Sequence, residues 1–301
     1  MKTDSLRVCA VVVTWNRRDL LAQCLRALQK QTRPLDTILV VDNKSTDDTL
    51  KMLSSEFAGV EILALPENVG GAGGFHAGMK HAFEAGSDWI WIMDDDGTPA
   101  PNCLEELMRP IDGPLAPQVL LPVQRDNAGR LYGMSLNKKE MAAEIIESGA
   151  PRAGKFLFTF VGPMFHREVI RKLGLPIKEF FIWFDDFEYS VRVHRARMPI
   201  VGVPAARFFH DPGGGSKEFS FLGRKSVRPQ PPPWKIYYGA RNGLYMITRC
   251  HPMRRDLGAF LRNEMRLLIG DAVYDPEGWQ CVRMRLRGLR DGALGRLGKR
   301  T

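Results

Sequence analysis

A chain of 301 residues, 44% hydrophobic and 26% charged, has the composition of an ordinary soluble globular protein and length for one large domain, alone or with an appendage. No apolar run approaches the roughly 18 residues of a bilayer span, and the first strand follows MKTDSLRV too soon for a signal peptide. Five scattered cysteines (Cys9, Cys24, Cys103, Cys250, Cys281) with no CxxC pair argue against a disulfide framework and fit a reducing cytosol.

The elements come in a repeating order. Residues 8–13 form a short apolar, β-branched run, read as a buried strand that ends at TWNRR. Leu20, Leu21, Cys24, Leu25 and Leu28 then recur at helical spacing. A second strand over residues 38–41 ends on Asp42 and Asn43, and Ser45 or Thr46 is placed to cap the next helix. VEILAL is a third strand, ENVGGAGGF leads into a helix near residues 75–85, and DWIWIM is a fourth strand that runs into three aspartates. Strand alternating with helix over short connections predicts an α/β protein with a mostly parallel central sheet flanked by helices. In such sheets ligands bind at the carboxyl ends of the strands, which is where TWN, DN and DDD all lie.

Beyond residue 118 the pattern loosens. QVLLPV and KFLFTFVG read as strands, DDFEYSVRVHRARM as a helix, and PIVGVP with ARFFH as a short strand pair. DPGGGSK reads as a mobile loop. RPQPPP marks a boundary, giving a catalytic domain over residues 1–227 and a basic, mainly helical C-terminal region over 228–301. The net charge of +9 sits in that region. Residues 226–301 hold 15 Lys plus Arg against 6 Asp plus Glu, so the first 225 residues are neutral.

Four stretches carry chemistry. Adjacent carboxylates repel one another, and at the active edge of an α/β sheet residues 94–96 can share one hard divalent cation, Mn²⁺ or Mg²⁺. The bland alternative is a solvated Asp-Gly, Thr-Pro turn. ENVGGAGGF fails as a dinucleotide fingerprint because His76 stands where the last glycine belongs, and it fails as a phosphate loop because Met79 and Lys80 follow Gly78. Close backbone approach to a ligand, through Asn68 and Gly71, stands beside a plain flexible turn. Asp185, Asp186 and Glu188 open a helix after an aromatic run that includes Trp183, so they either cap it or supply a partly desolvated general base. His210, 24 residues beyond Asp186, ends a strand before the glycine-rich loop, where a third metal ligand would fit, although a lone histidine is more often structural.

Taken together these residues resemble a family 2 glycosyltransferase of the GT-A fold, over roughly residues 6–250. VVVTWNRRDLLAQCL resembles the opening nucleotide-binding strand and helix, VVDNKSTDDT the second, MDDD the metal-binding DXD motif, WFDDFEYSVR the catalytic-base segment and FFH the metal-binding histidine. WKIYYGARNGLYM resembles a segment of rhamnosyl- and galactofuranosyltransferases, and ENVGGAGGF with MDDD leans toward the galactofuranosyl members of bacterial cell-envelope synthesis. The resemblance implies transfer with inversion from a nucleotide-sugar donor to a saccharide or lipid-linked acceptor. It implies nucleoside contacts from Thr14, Asn16, Arg17, Asp42 and Asp95, and further substrate contacts from Trp183 and Asp185. Asp94, Asp96 and His210 would hold the metal, Asp186 would be the base, and Lys217 would close over the diphosphate with the loop 212–217.

Three rival readings remain. A nucleotidyltransferase would carry a glycine-rich loop after the first strand, where TWNRRD has no glycine. A nucleic-acid binder would interleave aromatics with its arginines, of which the basic tail has few, and the three aspartates would repel phosphate without a metal, so no nucleic-acid partner is expected. The third is an inactive carbohydrate-binding protein. In the tail, Leu257, Phe260, Leu261, Met265 and Leu268 form one helical stripe flanked by Arg254, Arg255, Arg262 and Arg266, and RMRLRGLR follows. This pattern predicts a peripheral protein docked on an anionic membrane surface at the cytoplasmic face; packing on the catalytic domain or a homo-oligomer contact is the alternative.

Overall fold

In the computed structural model, residues 6–109, 118–126, 128–131, 134–135, 152–153, 156–211, 216–221, 224–252, 254–275 and 277–300 are described. The first strand, β1 (Val8–Thr14), shows why its sequence is an unbroken apolar run. Val8, Ala10 and Val12 join one core cluster with Leu21, Leu25 and Leu28 of α1 (Arg18–Gln29). Cys9, Val11 and Val13 join a second with Phe75, Met79 and Ala82 of α3 (Gly70–Glu84). A strand buried on both faces has no polar side to alternate with.

Four parallel strands, β3 (Glu61–Ala64), β2 (Thr37–Asp42), β1 and β4 (Trp89–Asp94), lie side by side in that order. The sheet continues through β10 (Met164–His166), β6 (Val119–Arg125), β11 (Ile200–Phe209) and β5 (Thr98–Pro99). Strand β10 is antiparallel to both neighbours, which leaves β6 and β11 running with β1 and β4, so the sheet is mostly parallel as expected. Helix α3 lies close on this sheet because it is glycine-rich. A Cβ at Gly74 would meet Val13 and Asn43, and one at Gly78 would meet Val11 and Val41. The glycine-rich run was expected either to admit a ligand to the backbone or to be a flexible turn; at Gly74 it lies in the helix and admits the sheet. Gly71, unlike Gly73 and Gly74, has nothing within 4 Å of a Cβ.

Other expectations need adjustment. The helix after β2 starts at Thr49, and neither Ser45 nor Thr46 caps it; Asp47 accepts from the Thr49 amide at 3.1 Å. KFLFTFVG contributes only Phe156–Leu157 as strand. PIVGVP and ARFFH are one continuous strand, β11, with an irregularity between Val203 and Arg207 that lets both halves pair with β6. Residues 212–215 of the expected loop lie outside the described residues, while Ser216 already begins β12 (Ser216–Phe221), paired with β13 (Arg224–Pro229).

The chain divides into two compact units. The first comprises residues 1–178 and 189–211, the second 179–188 and 212–301, whereas the expectation divided the chain at 227 and 228. Residues 179–188 go with the second unit because the side chains of Arg241 and Asn242 hold the carbonyls of Glu179, Phe180, Ile182 and Trp183. That unit is built on α7 (Pro233–Tyr245), α8 (Arg254–Tyr274) and α9 (Gly278–Ala293). Helix α9 packs closely on α7 at glycines: a Cβ at Gly292 would run into Arg241 O. Arg285 of α9 forms buried ion pairs with Glu264 and Asp271 of α8, each at 2.8 Å.

Candidate active site

The acidic end of β4 is held by a tight turn. Gly97 N donates to Asp94 O at 3.2 Å, and the Phe208 ring fills the space that a Cβ on Gly97 would need. The chain then pairs Thr98 with Phe209, antiparallel, so the next residue after Phe209 returns to the turn. That residue is His210, whose Nε2 stands 3.1 Å from Asp96 Oδ1. Asp94, Asp96 and His210 each offer one ligand atom, and these atoms all lie within 4.8 Å of one another. Asp96 Oδ1 is buried and makes no hydrogen bond of good geometry. Two carboxylates and an imidazole with a buried, underused oxygen among them fit a divalent cation such as Mn²⁺ or Mg²⁺.

Asp95 has different partners. It is buried, accepts from Thr14 Oγ1 at 2.7 Å and faces Arg17 Nη1 at 3.1 Å, while the same nitrogen reaches Asp96 Oδ2 at 2.8 Å. Asp95 and Asp96 are therefore shared out among a guanidinium, a hydroxyl and an imidazole. Burial pushes the Asp95 carboxyl up to about 6, against the Thr14 bond and the Arg17 charge. For Asp96 burial acts in the same direction, but the His210 ring 3.1 Å away and the Arg17 guanidinium outweigh it and hold the carboxyl below its usual range. His210 is raised: burial opposes its charge, and the nearby carboxylates of Asp96 and Asp94 overcome that.

The neighbouring strand ends join this edge through polar side chains. Asn16, in the left-handed region at φ 54°, accepts from Thr46 N at 2.7 Å and donates to Thr46 Oγ1 at 3.2 Å, while its backbone amide donates to Ser45 Oγ. Its amide thus links two loops within the protein. Asp42 is buried and accepts from Ser45 N at 3.2 Å. Asn68 accepts from Gly70 N at 2.8 Å, at the start of α3. One residue that the sequence placed at a strand end without a role has one here. Asn43 is buried and grips the same helix start, donating to Gly70 O and accepting from Val69 N at 2.9 Å each.

The second unit carries the other carboxylates. Phe181, Trp183 and Phe184 have φ of 67°, 65° and 69°, a left-handed backbone that costs bulky residues of order 1–3 kcal/mol each. This turn ends at α6 (Asp185–Arg195), whose first residues through Glu188 count with the second unit. Asp185 is buried and Asp186 partly so; Asp186 Oδ1 accepts from Phe187 N at 2.6 Å. Both carboxyls are raised above the usual range, Asp186 by burial and Asp185 by burial and by the charges of Asp186 and Glu188. Glu188 is buried against His251 at 3.2 Å, and Trp183 is exposed enough to be reached from solvent. Lys217 lies in β12, and its side chain lies outside the described residues.

Comparison with known proteins agrees with this geometry. The fold is that of GT-A glycosyltransferases: it matches the crystal structure of S. aureus TarS 1–349 in complex with UDP-GlcNAc at a TM-score of 0.62 and 16% identity, over 95% of this chain and 80% of that one. Galactofuranosyltransferase GlfT1 of Mycobacterium tuberculosis (strain ATCC 25618 / H37Rv) is 30% identical over 94% of this chain and 96% of its own length. The dTDP-rhamnosyl transferase RfbF of Shigella flexneri is 22% identical over 81% of each chain. The family model for glycosyl transferase family 2 matches residues 9–174, from β1 to the helix after β10. This protein is a glycosyltransferase, and it belongs to glycosyl transferase family 2.

Proposed function

We propose that this protein is an inverting, metal-dependent galactofuranosyltransferase that moves galactofuranose from UDP-galactofuranose to a saccharide or lipid-linked saccharide acceptor in cell-envelope polysaccharide synthesis. The observation that carries the reading is the gathering of Asp94, Asp96 and His210 at the carboxyl edge of a parallel sheet, beside the Thr14, Arg17 and Asp95 cluster. The greater identity and coverage of GlfT1 relative to RfbF favour the galactofuranosyl donor over dTDP-rhamnose.

Asp94, Asp96 and His210 would hold the Mn²⁺ or Mg²⁺, whose bound charge offsets the negative charge that grows on a departing diphosphate. Arg17 bridges the carboxylates of Asp95 and Asp96 through one nitrogen and offsets their mutual repulsion, while Thr14 fixes the other Asp95 oxygen; Asp95 would then face the nucleoside. Asn16 and Asp42 shape the loops around that subsite, Asn68 and Gly71 form its glycine-rich side, and Trp183, Asp185 and Lys217 contact substrate. Asp186 takes the proton from the acceptor hydroxyl. The acceptor oxygen bonds to the anomeric carbon as the bond to the diphosphate oxygen breaks on the opposite side, which inverts that centre.

The second unit supplies the membrane contact in this reading. Leu261, Met265, Ile269 and Val273 are exposed at four-residue spacing on α8, with exposed Arg262 and Arg266 on the same side and Trp279 84% exposed beyond them. The ridge differs from the expected stripe: Leu257, Phe260 and Leu268 are half-buried, and Phe260 packs where Gly243 leaves room. The basic cluster is also smaller than it looked, because Arg285 is buried in ion pairs and Arg290 binds Asp291 at 3.0 Å. Among the described residues no helix is long and apolar enough to cross a membrane. An apolar ridge edged by arginines matches an anionic leaflet, so the protein docks peripherally on the cytoplasmic face.

The deciding experiment measures UDP release and sugar transfer from UDP-galactofuranose with Mn²⁺ and after chelation, with dTDP-rhamnose in parallel. Metal-dependent turnover of the UDP sugar is expected. Turnover of dTDP-rhamnose with none of the UDP sugar would overturn the donor, and equal turnover after chelation would overturn the metal.

A further inference from the structure

The RN of YYGARNGLYM has no role in the reaction just described, yet Arg241 and Asn242 are both fully buried on α7. Asn242 Nδ2 lies 2.9 Å from each of three backbone carbonyls, those of Phe180, Ile182 and Trp183. Arg241 Nη2 donates to the carbonyls of Glu179 at 3.0 Å and Phe180 at 2.9 Å, and its Nη1 donates to Gly298 O. Arg241 Nε donates to Asn242 Oδ1 at 2.8 Å, which fixes the way the amide faces and leaves its NH₂ group for the carbonyls. Among the described residues no carboxylate pairs with this guanidinium. It lies over the Tyr238 ring at 4.7 Å and the Tyr237 ring at 5.5 Å. A charge buried among carbonyls and ring faces is an uncommon use of arginine, and its planar fork is what lets it serve several carbonyls together.

Arg241 Nη2 and Asn242 Nδ2 converge on one stretch of backbone, residues 179–183, which runs through the turn in which Phe181, Trp183 and Phe184 take left-handed φ. Such a turn persists only where its surroundings over-determine it. Its side chains are gripped as well. Phe181 stacks on Tyr238 at 4.9 Å between ring centroids, Phe180 meets Tyr245 edge to face, and Trp183 lies against Gly239, where a Cβ would stand 3.0 Å from the ring. The turn delivers Asp185 and Asp186 one and two residues after Phe184.

We infer that Asn242, oriented by Arg241, is a positioning residue that sets the place and solvation of the Asp186 carboxyl by holding the left-handed turn at residues 180–184. The inference rests on the reading of Asp186 as the general base. Without the amide the turn relaxes toward ordinary backbone, and the carboxyl that follows it moves and gains water.

The test compares Asn242→Ala and Arg241→Lys with wild type in the full-length protein, alongside Asp186→Asn and the double variant Asn242→Ala/Asp186→Asn. Expected for Asn242→Ala is UDP affinity in Mn²⁺ within about twofold of wild type and kcat lower by ~10²-fold, the usual effect of a base displaced by an ångström. The acid limb of its pH–rate profile falls toward the ordinary carboxylate range as Asp186 becomes hydrated. Arg241→Lys keeps the charge but not the fork and shows the same changes in smaller measure. The double variant loses no more than Asp186→Asn alone, since residues that act as one unit are not additive. Folded Asn242→Ala with near wild-type kcat and an unmoved acid limb, additive losses in the double variant, or failure of both single variants to melt cooperatively would each overturn the inference. Substantial activity in Asp186→Asn would instead overturn the base assignment, whatever Asn242→Ala does.

Discussion

At the edge of the first unit's sheet, residues 94–96 take their places from strand geometry. Strand β4 ends, Gly97 closes the turn, and the pairing of Thr98 with Phe209 brings His210 back to it. In the second unit, residues 180–186 take theirs from side chains on another element: Asn242 and Arg241 hold carbonyls that no regular structure pairs, and three bulky residues sit in left-handed backbone as a result. The first arrangement tolerates loss of one polar side chain, because the sheet keeps its shape without it. The second converts loss of one amide into movement of the backbone that bears the carboxylates. Two carboxylate sites in one chain should therefore respond differently to equally small substitutions.

The sharpest test of that contrast has the largest expected effect. Asp186→Asn should bind donor normally and transfer sugar at least ~10²-fold more slowly, as loss of a general base implies. Asp185→Asn should be milder. Because burial raises the Asp186 carboxyl, activity should climb with pH through a value above the ordinary carboxylate range, the ionised form being the competent one. A profile flat across that range, or an essential Asp185 beside a dispensable Asp186, breaks the assignment.

The sheet edge makes the next prediction. Asp96→Ala should weaken Mn²⁺-dependent UDP binding by at least ~10-fold, since loss of even an outer partner of a metal site costs about 10–100-fold. Its circular dichroism and melting transition should stay close to wild type, because the turn is held by Gly97 and Phe208. Equal UDP affinity with and without Mn²⁺ in the wild type removes the metal from the site; a collapsed melting transition removes the claim that this edge is robust.

The smallest effect concerns the exposed ridge of the second unit. Liposomes with anionic lipid should pellet the protein and neutral ones should not, and salt should reverse this, each arginine near such a surface being worth about 1 kcal/mol. Met265→Ser with Ile269→Ser should weaken sedimentation while sugar transfer to a soluble acceptor holds. Sedimentation indifferent to lipid charge and salt, together with a concentration-dependent dimer lost in the same variant, would give the ridge to a second copy of the chain.

Much of the sheet edge was legible in the chain order itself. An apolar run buried on both faces announces a parallel strand, and polar residues directly after several such runs must gather at one edge. Asp94, Asp95, Asp96, Thr14 and Arg17 were found in that way, while His210 was suggested by its place at a strand end. What the sequence did not tell was the division of labour: that Arg17 bridges Asp95 and Asp96, and that Gly74 and Gly78 make room for the sheet and not for a ligand. The helical stripe of the tail was legible as a period, but which edge of it faces solvent depends on what packs below, so Ile269 and Val273 were missed and Leu257 and Leu268 misplaced.

The sequence by itself determined the α/β class, the strand ends that carry acid and the position of the excess charge, because periodicity, punctuation and charge are local properties of a chain. The tertiary structure alone decided that Phe181, Trp183 and Phe184 adopt left-handed backbone and that Arg241 and Asn242, some sixty residues later, hold them there. No local propensity favours such a turn in bulky aromatic residues. It exists because donors distant in sequence converge on its carbonyls, and convergence is a property of the folded chain.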